Sequence, residues 1–88
     1  MQRALIIIAQ QGYQDQEYAG TRSGLEAGGY EITVASTEAG ECRGKFGSLK
    51  VAKVALRDVD VSAFDIIAFI GGPGAAALAD NDDAKRIA

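Results

Sequence analysis

Glu17 is the side chain whose type and position most favour chemistry in this sequence. It follows the polar stretch 10–16, which comes directly after an apolar run, and it falls in the first turn of a predicted helix. A carboxyl at that place feels the helix N-terminus, which favours the anion, and any burial, which favours the acid, so its pKa can be tuned either way. The alternative is a solvated Glu that only complements the helix dipole. We interpret the nearby Asp15 as a helix cap and not as a catalytic group.

A glycine pair, Gly71 and Gly72, is the second candidate and follows another apolar run. Backbone N–H groups without side chains at a strand tip can cradle an oxyanion or a carboxylate. The alternative is a tight turn from strand to helix. Residues 72–77 also match the pattern G-x-G-x-x-A of dinucleotide sites, but they follow the third predicted strand, whereas that fingerprint follows the first.

Cys42 is the single cysteine, and it has two basic neighbours, Arg43 and Lys45. Such neighbours can lower the pKa of a thiol, but we favour an incidental surface or half-buried thiol. The sequence contains no His, so it holds neither a Cys-His nor a Ser-His pair. One cysteine also rules out an internal disulfide, and the usual imidazole ligand for a metal is missing.

Three apolar runs rich in β-branched residues predict buried parallel strands over residues 4–9, 30–36 and 65–70. Between the first two, a helix is predicted from Asp15 as N-cap to a stop at residues 28–29. Strand, helix and strand in this order form a βαβ unit. In open parallel sheets ligands bind beyond the carboxyl ends of the strands, which is where both candidate groups fall.

The middle of the sequence is turn-rich and predicts a hairpin that reverses at residues 44–47. Residues 49–56 alternate like an exposed strand, and residues 58–64 predict a short helical turn. The acids at 80–83 favour the start of a helix. This helix reaches residue 88 after about one turn. We interpret the three phenylalanines as core or cover residues: Phe46, Phe64 and Phe69.

Length and charge narrow the class of protein. Eighty-eight residues are enough for one domain only. A net charge of −3 without a basic stripe argues against a nucleic-acid partner, and no apolar run approaches a membrane span. We therefore expect a soluble cytoplasmic protein.

Three buried strands need more helices and strand neighbours than this sequence supplies, so residues 1–88 are expected to be the N-terminal part of one larger α/β domain, completed by a companion chain.

Five segments, read in order, carry a family resemblance: residues 4–9 (ALIIIA), 13–17 (YQDQE), 29–36 (GYEITVAS), 44–47 (GKFG) and 64–72 (FDIIAFIGG). Together they resemble the PfpI family of the DJ-1/PfpI superfamily, over nearly the whole sequence. The resemblance implies a flavodoxin-like, three-layer α/β sandwich with a mostly parallel sheet, incomplete in this chain. It departs from the family in one turn, because Ile70 stands where the family has Pro and Pro73 comes after the glycines.

The resemblance also implies a chemistry. Family members carry a nucleophilic Cys on a strained turn after the next strand, usually followed by His, and neither residue lies in this sequence. Glu17 matches the acidic partner of that Cys, and Gly72 matches the backbone N–H on the oxyanion side. Members act as cofactor-free glyoxalases, protein deglycases or peptidases, so we expect a small carbonyl compound or a peptide as substrate, no metal or cofactor, and a homo-oligomer of the assembled domain.

Two other classes of function stay open at this point. One is a non-catalytic scaffold of the same fold that senses stress or redox state or acts as a chaperone. The other is a nucleotide-binding module that uses the turn at residues 72–77. By itself the 88-residue chain is not expected to be an enzyme.

Overall fold

The computed structural model describes residues 2–72, 74 and 81–87. A four-stranded parallel sheet organises them, with the strand order β6-β3-β1-β7. Its strands are β1 (Arg3–Ile7), β3 (Glu31–Ser36), β6 (Val54–Ala55) and β7 (Ile66–Phe69). The prediction of an α/β fold with a mostly parallel sheet is confirmed.

Strand β1 lies at the centre of this sheet because it is apolar on both faces. It pairs in parallel with β3 on one side and with β7 on the other. From Ala4 to Ile8 every side chain is fully buried, and Ala9 is 4% exposed. Ile8 and Ala9 lie past the end of the strand and not within it, as the apolar run had suggested. The burial of this run supplies much of the hydrophobic core.

Helix α1 (Asp15–Ala27) connects β1 to β3 and starts one residue earlier than predicted. The prediction of Asp15 as N-cap is wrong: Gln14 is the cap, and its side-chain oxygen accepts a hydrogen bond from the Gln16 N–H at 2.9 Å. The predicted end is confirmed, since Gly28 caps the helix and the chain turns at Gly29, whose φ of +87° favours glycine. This places Glu17 in the first turn.

A second, three-stranded sheet covers the carboxyl end of the first and has the order β2-β4-β5. The predicted hairpin forms from β4 (Gly40–Gly44) and β5 (Leu49–Ala52), which pair antiparallel. Strand β2 (Gln11–Tyr13) pairs in parallel with β4, although its sequence had suggested a loop. Residues 49–56 do not form one strand, because the chain leaves the hairpin after Ala52 and joins the main sheet as β6.

The outer face of the hairpin carries exposed apolar side chains next to the charged Glu41 and Arg43. Phe46 is 68% exposed and Val51 is 70% exposed, so the interpretation of Phe46 as a core or cover residue is wrong. Phe64 does pack against the core, as predicted. Phe69 is 40% exposed and lies on β7, the outermost strand of the main sheet within the described residues. The third predicted strand is confirmed as Ile66–Phe69, and its burial on both faces stays a prediction for the complete domain.

Short helical elements complete the described chain. The turn predicted around residues 58–64 is two 3₁₀ turns, Leu56–Asp58 and Val61–Ala63. The last helix, α2 (Asp82–Ile87), buries Ala84 and Ile87. The Arg86 guanidinium donates to the carbonyl oxygens of Leu56 and Val59 and so ties α2 to the first of these turns. Within the described ranges, no helix has the length and apolar character needed to cross a bilayer.

Candidate functional site

The strand order places the candidate site between β1 and β7. The chain leaves β1 toward β3 and β6, and then returns to the other side of β1 as β7. The loops that follow β1 and β7 therefore begin side by side at the carboxyl edge of the sheet. This reversal of strand order is the usual position of ligand sites in open α/β sheets.

Glu17 connects the start of helix α1 to the loop that follows β7. Its Oε1 accepts a hydrogen bond from the Gly71 N–H at 2.8 Å, so a residue of the first helical turn is joined to the loop after β7. The side chain is exposed in the described part of the chain. Sequence analysis named both partners of this bond but did not predict that they bond to each other.

Gly71 contributes its whole peptide group to the junction. Its N–H is already used by Glu17, and its carbonyl oxygen accepts a hydrogen bond from the Gln14 N–H at 2.8 Å. The proposed pair of anion-binding N–H groups is thereby reduced to one, since Gly71 has no free donor. Among the described residues, no acceptor pairs with the Gly72 N–H.

Gly72 is also the residue that requires glycine for two separate reasons. Its φ is +120°, a value that residues with a side chain rarely adopt. A Cβ at this position would lie 2.6 Å from the Gly12 carbonyl oxygen and 2.7 Å from the Gln14 nitrogen. The loop after β1 and the loop after β7 thus touch backbone to backbone at this point.

The loop after β7 contains one departure from the family pattern, Ile70, and the structure gives a reason for it. Ile70, which stands where the family has Pro, is 2% exposed, and its N–H donates to the Ile7 carbonyl oxygen at 3.0 Å. A proline would lose that bond. The dinucleotide-like pattern at 72–77 falls largely outside the described residues and stays a prediction. The N–H of Gly74 donates to the Gly12 carbonyl oxygen.

Asp15 has a role that sequence analysis did not find. Its carboxylate accepts hydrogen bonds from the backbone N–H groups of Phe46 at 2.9 Å and Ser48 at 3.0 Å, both at the tip of the hairpin. Desolvation would raise the pKa of Asp15, but these backbone donors and the Ser48 side chain outweigh it and lower the pKa. The only local hint in the sequence is the glycine-rich turn at 44–47, which leaves room for a side chain from elsewhere.

A solvent-open cavity of about 240 Å³ lies beside α1, between the helix and the hairpin. Tyr18, Arg22 and Lys50 line it, and Arg22 donates to the Tyr18 hydroxyl oxygen at 2.7 Å. Neither Glu17 nor the glycine pair borders this cavity. It is therefore separate from the candidate site.

Cys42 is not a surface thiol, so that interpretation is wrong. Its side chain is 1% exposed, on the inner face of β4, and its Sγ lies 3.7 Å from the Gly40 carbonyl oxygen. Burial raises the pKa of the thiol. Cys42 is thus a packing residue and a poor nucleophile.

We expect Cys42 to react with iodoacetamide roughly 100-fold more slowly in the folded protein than in the unfolded protein, because reaction requires local opening. Peptide mass spectrometry at neutral pH, with and without concentrated urea, measures both rates on the same residue. Equal rates in the two conditions would show that the thiol is accessible and would contradict its placement in the core.

Comparisons with known proteins agree with this geometry. The model of the DJ-1/PfpI family matches residues 2–88. A ThiJ/PfpI domain protein from Brachyspira murdochii is 32% identical and superimposes with a TM-score of 0.87, covering 92% of this chain and 47% of that one. Oxidized DJ-1 from Toxoplasma gondii is 26% identical with a TM-score of 0.85, covering 99% of this chain and 48% of that one.

A curated relative is similar as well. An uncharacterised protein of Methanocaldococcus jannaschii is 29% identical over 72 residues, which are 82% of this chain and 35% of that protein. The chain thus spans less than half the length of each of these three relatives. With the family model matching almost from end to end and the flavodoxin-like fold shared, the chain belongs to the DJ-1/PfpI family.

Proposed function

We propose that this chain is the N-terminal part of one DJ-1/PfpI-type α/β domain whose complete form is a cysteine-dependent enzyme that attacks carbonyl carbons. The nucleophilic Cys belongs to the part of the domain outside these 88 residues. The substrate is a small 2-oxoaldehyde, a glycated protein or a peptide, and the assembled domain works as a homo-oligomer in the cytoplasm. Family membership and the Glu17–Gly71 junction support this proposal.

The observation that carries the proposal is the position of the Glu17 carboxyl. It stands at the carboxyl edge of β1 and β7, with Oε1 held 2.8 Å from the Gly71 N–H. Because Oε1 already accepts that bond, the proton of a neutral carboxyl resides on Oε2. Oε2 then donates to an approaching thiolate and stabilises the anion, which lowers the pKa of the thiol.

Gly72 completes the proposed chemistry on the other side of the carbonyl group. When the thiolate adds to the carbonyl carbon, a C–S bond forms and the π electron pair moves to the oxygen. The resulting oxyanion accepts a hydrogen bond from the Gly72 N–H, which has no acceptor among the described residues. Glu17 and Gly72 thereby act on opposite partners of the same bond-forming step.

The proposal is tested on the complete protein, with two measurements. The rate of iodoacetamide alkylation against pH is expected to reveal one thiol with a pKa well below the ordinary value of about 8.5. The same preparation is expected to turn over methylglyoxal or a glycated peptide. A low-pKa thiol without turnover would instead support the redox-sensing scaffold, and the absence of any such thiol would rule out the proposed enzyme.

A further inference from the structure

The hairpin tip is attached to the segment that carries Glu17. Besides the two bonds to the Asp15 carboxylate, the Lys45 N–H donates to the Tyr13 carbonyl oxygen at 2.8 Å. The Tyr13 hydroxyl in turn donates to the Ser48 carbonyl oxygen at 3.1 Å. Burial raises the pKa of Tyr13 to about 12, so the hydroxyl keeps this proton at any ordinary pH. Four hydrogen bonds therefore join the hairpin tip to Tyr13 and Asp15.

The absence of a side chain at Gly44 leaves room for the Asp15 carboxylate. A Cβ added to Gly44 would overlap both carboxylate oxygens of Asp15, so the side chain occupies the volume that any larger residue would fill. The φ of Gly44 does not fall among the positive values found at other glycines of this chain. Glycine is needed there for the contact and not for the backbone conformation.

Asp15 and Glu17 are two residues apart in the same helical turn. Since each residue of an α-helix advances by about 100°, their side chains leave the helix on nearly opposite sides. Asp15 reaches the hairpin tip, and Glu17 reaches the loop after β7. The first turn of α1 is thus held from both sides.

From this arrangement we infer that Asp15 is a positioning residue for Glu17: its two bonds to the hairpin tip set the place of the Glu17 carboxyl, and thereby its distance to the reactive thiol. The inference rests on the proposed function. Asp15 itself touches neither Glu17 nor Gly71 through its side chain in the described structure, so it acts through the helix backbone.

The test disrupts the contact between Asp15 and the hairpin tip from both of its sides, in the complete protein. Asp15→Ala removes both acceptors, Asp15→Asn keeps one oxygen, and Gly44→Ala keeps the carboxylate but fills its place. A displacement of about 1 Å can cost roughly 100-fold in rate, so we expect kcat to fall by about 10- to 100-fold with KM nearly unchanged. The pKa of the reactive thiol, read from alkylation against pH, should rise in all three variants, and least in Asp15→Asn.

Two control variants match these changes away from the site. Asp60 also accepts hydrogen bonds from a backbone N–H and a hydroxyl, those of Ser62, and Asp60→Asn should leave kcat and the thiol pKa unchanged. Gly20 lies on α1 with no atom within 4 Å of an added Cβ, so Gly20→Ala is the control for Gly44→Ala.

The outcomes separate this inference from the proposed function. If Glu17→Gln lowers turnover while Asp15→Asn and Gly44→Ala change only the melting temperature, Asp15 is merely structural and the inference is wrong. If Glu17→Gln leaves turnover unchanged, the proposed function is wrong, and the inference that rests on it is wrong as well. Should Asp15→Ala not fold, Asp15→Asn and Gly44→Ala still decide the question through the thiol pKa.

Discussion

Removing the carboxyl of Glu17 is expected to abolish most of the activity of the complete enzyme. We propose that the Glu17 carboxyl also passes its proton to the substrate oxyanion after the thiolate has added. Proton transfer by a positioned carboxyl contributes about 10²- to 10⁴-fold to rate, so Glu17→Ala should lower kcat/KM for methylglyoxal by roughly 100-fold or more. The variant also loses the donor to the thiolate, and the pKa of the reactive thiol should rise toward its ordinary value of about 8.5. Turnover and alkylation against pH measure the two effects separately.

Glu17→Gln separates the effect of losing proton transfer from the effect of losing the hydrogen bond to the thiolate. The amide oxygen can still accept from the Gly71 N–H, which directs the NH₂ group to the position of Oε2. That group donates a hydrogen bond but cannot transfer a proton. Turnover should therefore fall nearly as far as in Glu17→Ala, whereas the thiol pKa should rise less.

A suitable control is Glu26→Gln, at the opposite end of the same helix. Glu26 is an exposed residue whose carboxylate forms a surface ion pair with Arg22 at 3.4 Å. Its removal should leave both measurements unchanged, because exposed pairs of this kind contribute little. Unchanged turnover in both Glu17 variants would exclude Glu17 from the mechanism.

The parts of the fold that follow from local patterns were predictable from the sequence. The apolar run at residues 4–9 identified the central strand, and the glycine-rich turn at 44–47 identified the hairpin. Glu17 and the glycine pair were found for the same reason, since each directly follows a predicted strand and the carboxyl ends of parallel strands meet at one edge.

The remaining features depend on contacts between distant residues. Asp15 accepts from Phe46 and Ser48, which are 31 and 33 residues away, so nothing near Asp15 in the sequence indicates that its side chain binds the hairpin instead of capping the helix. The full burial of Cys42 was not predictable for a related reason: alternate residues of a strand face opposite sides, and which side of β4 packs on the core depends on distant residues.

The contact between the two site loops leads to the second large effect, on stability. Gly72→Ala introduces a side chain at φ +120° and forces a Cβ to within 2.6 Å of the Gly12 carbonyl oxygen. Backbone strain of about 1–3 kcal/mol and overpacking of about 1–3 kcal/mol should together lower the free energy of unfolding by about 2–6 kcal/mol. Urea denaturation of the complete protein measures this loss.

Gly29→Ala separates the strain from the contact. Gly29 also has a positive φ, +87°, but an added Cβ there meets no atom within 4 Å. Its replacement should cost only the conformational term, about 1–2 kcal/mol. If both variants lose the same free energy, the loops after β1 and β7 are not in tight contact. If Gly72→Ala loses more and any folded fraction also has a lower kcat, the same backbone contact that stabilises the domain holds the Gly72 N–H where the oxyanion forms.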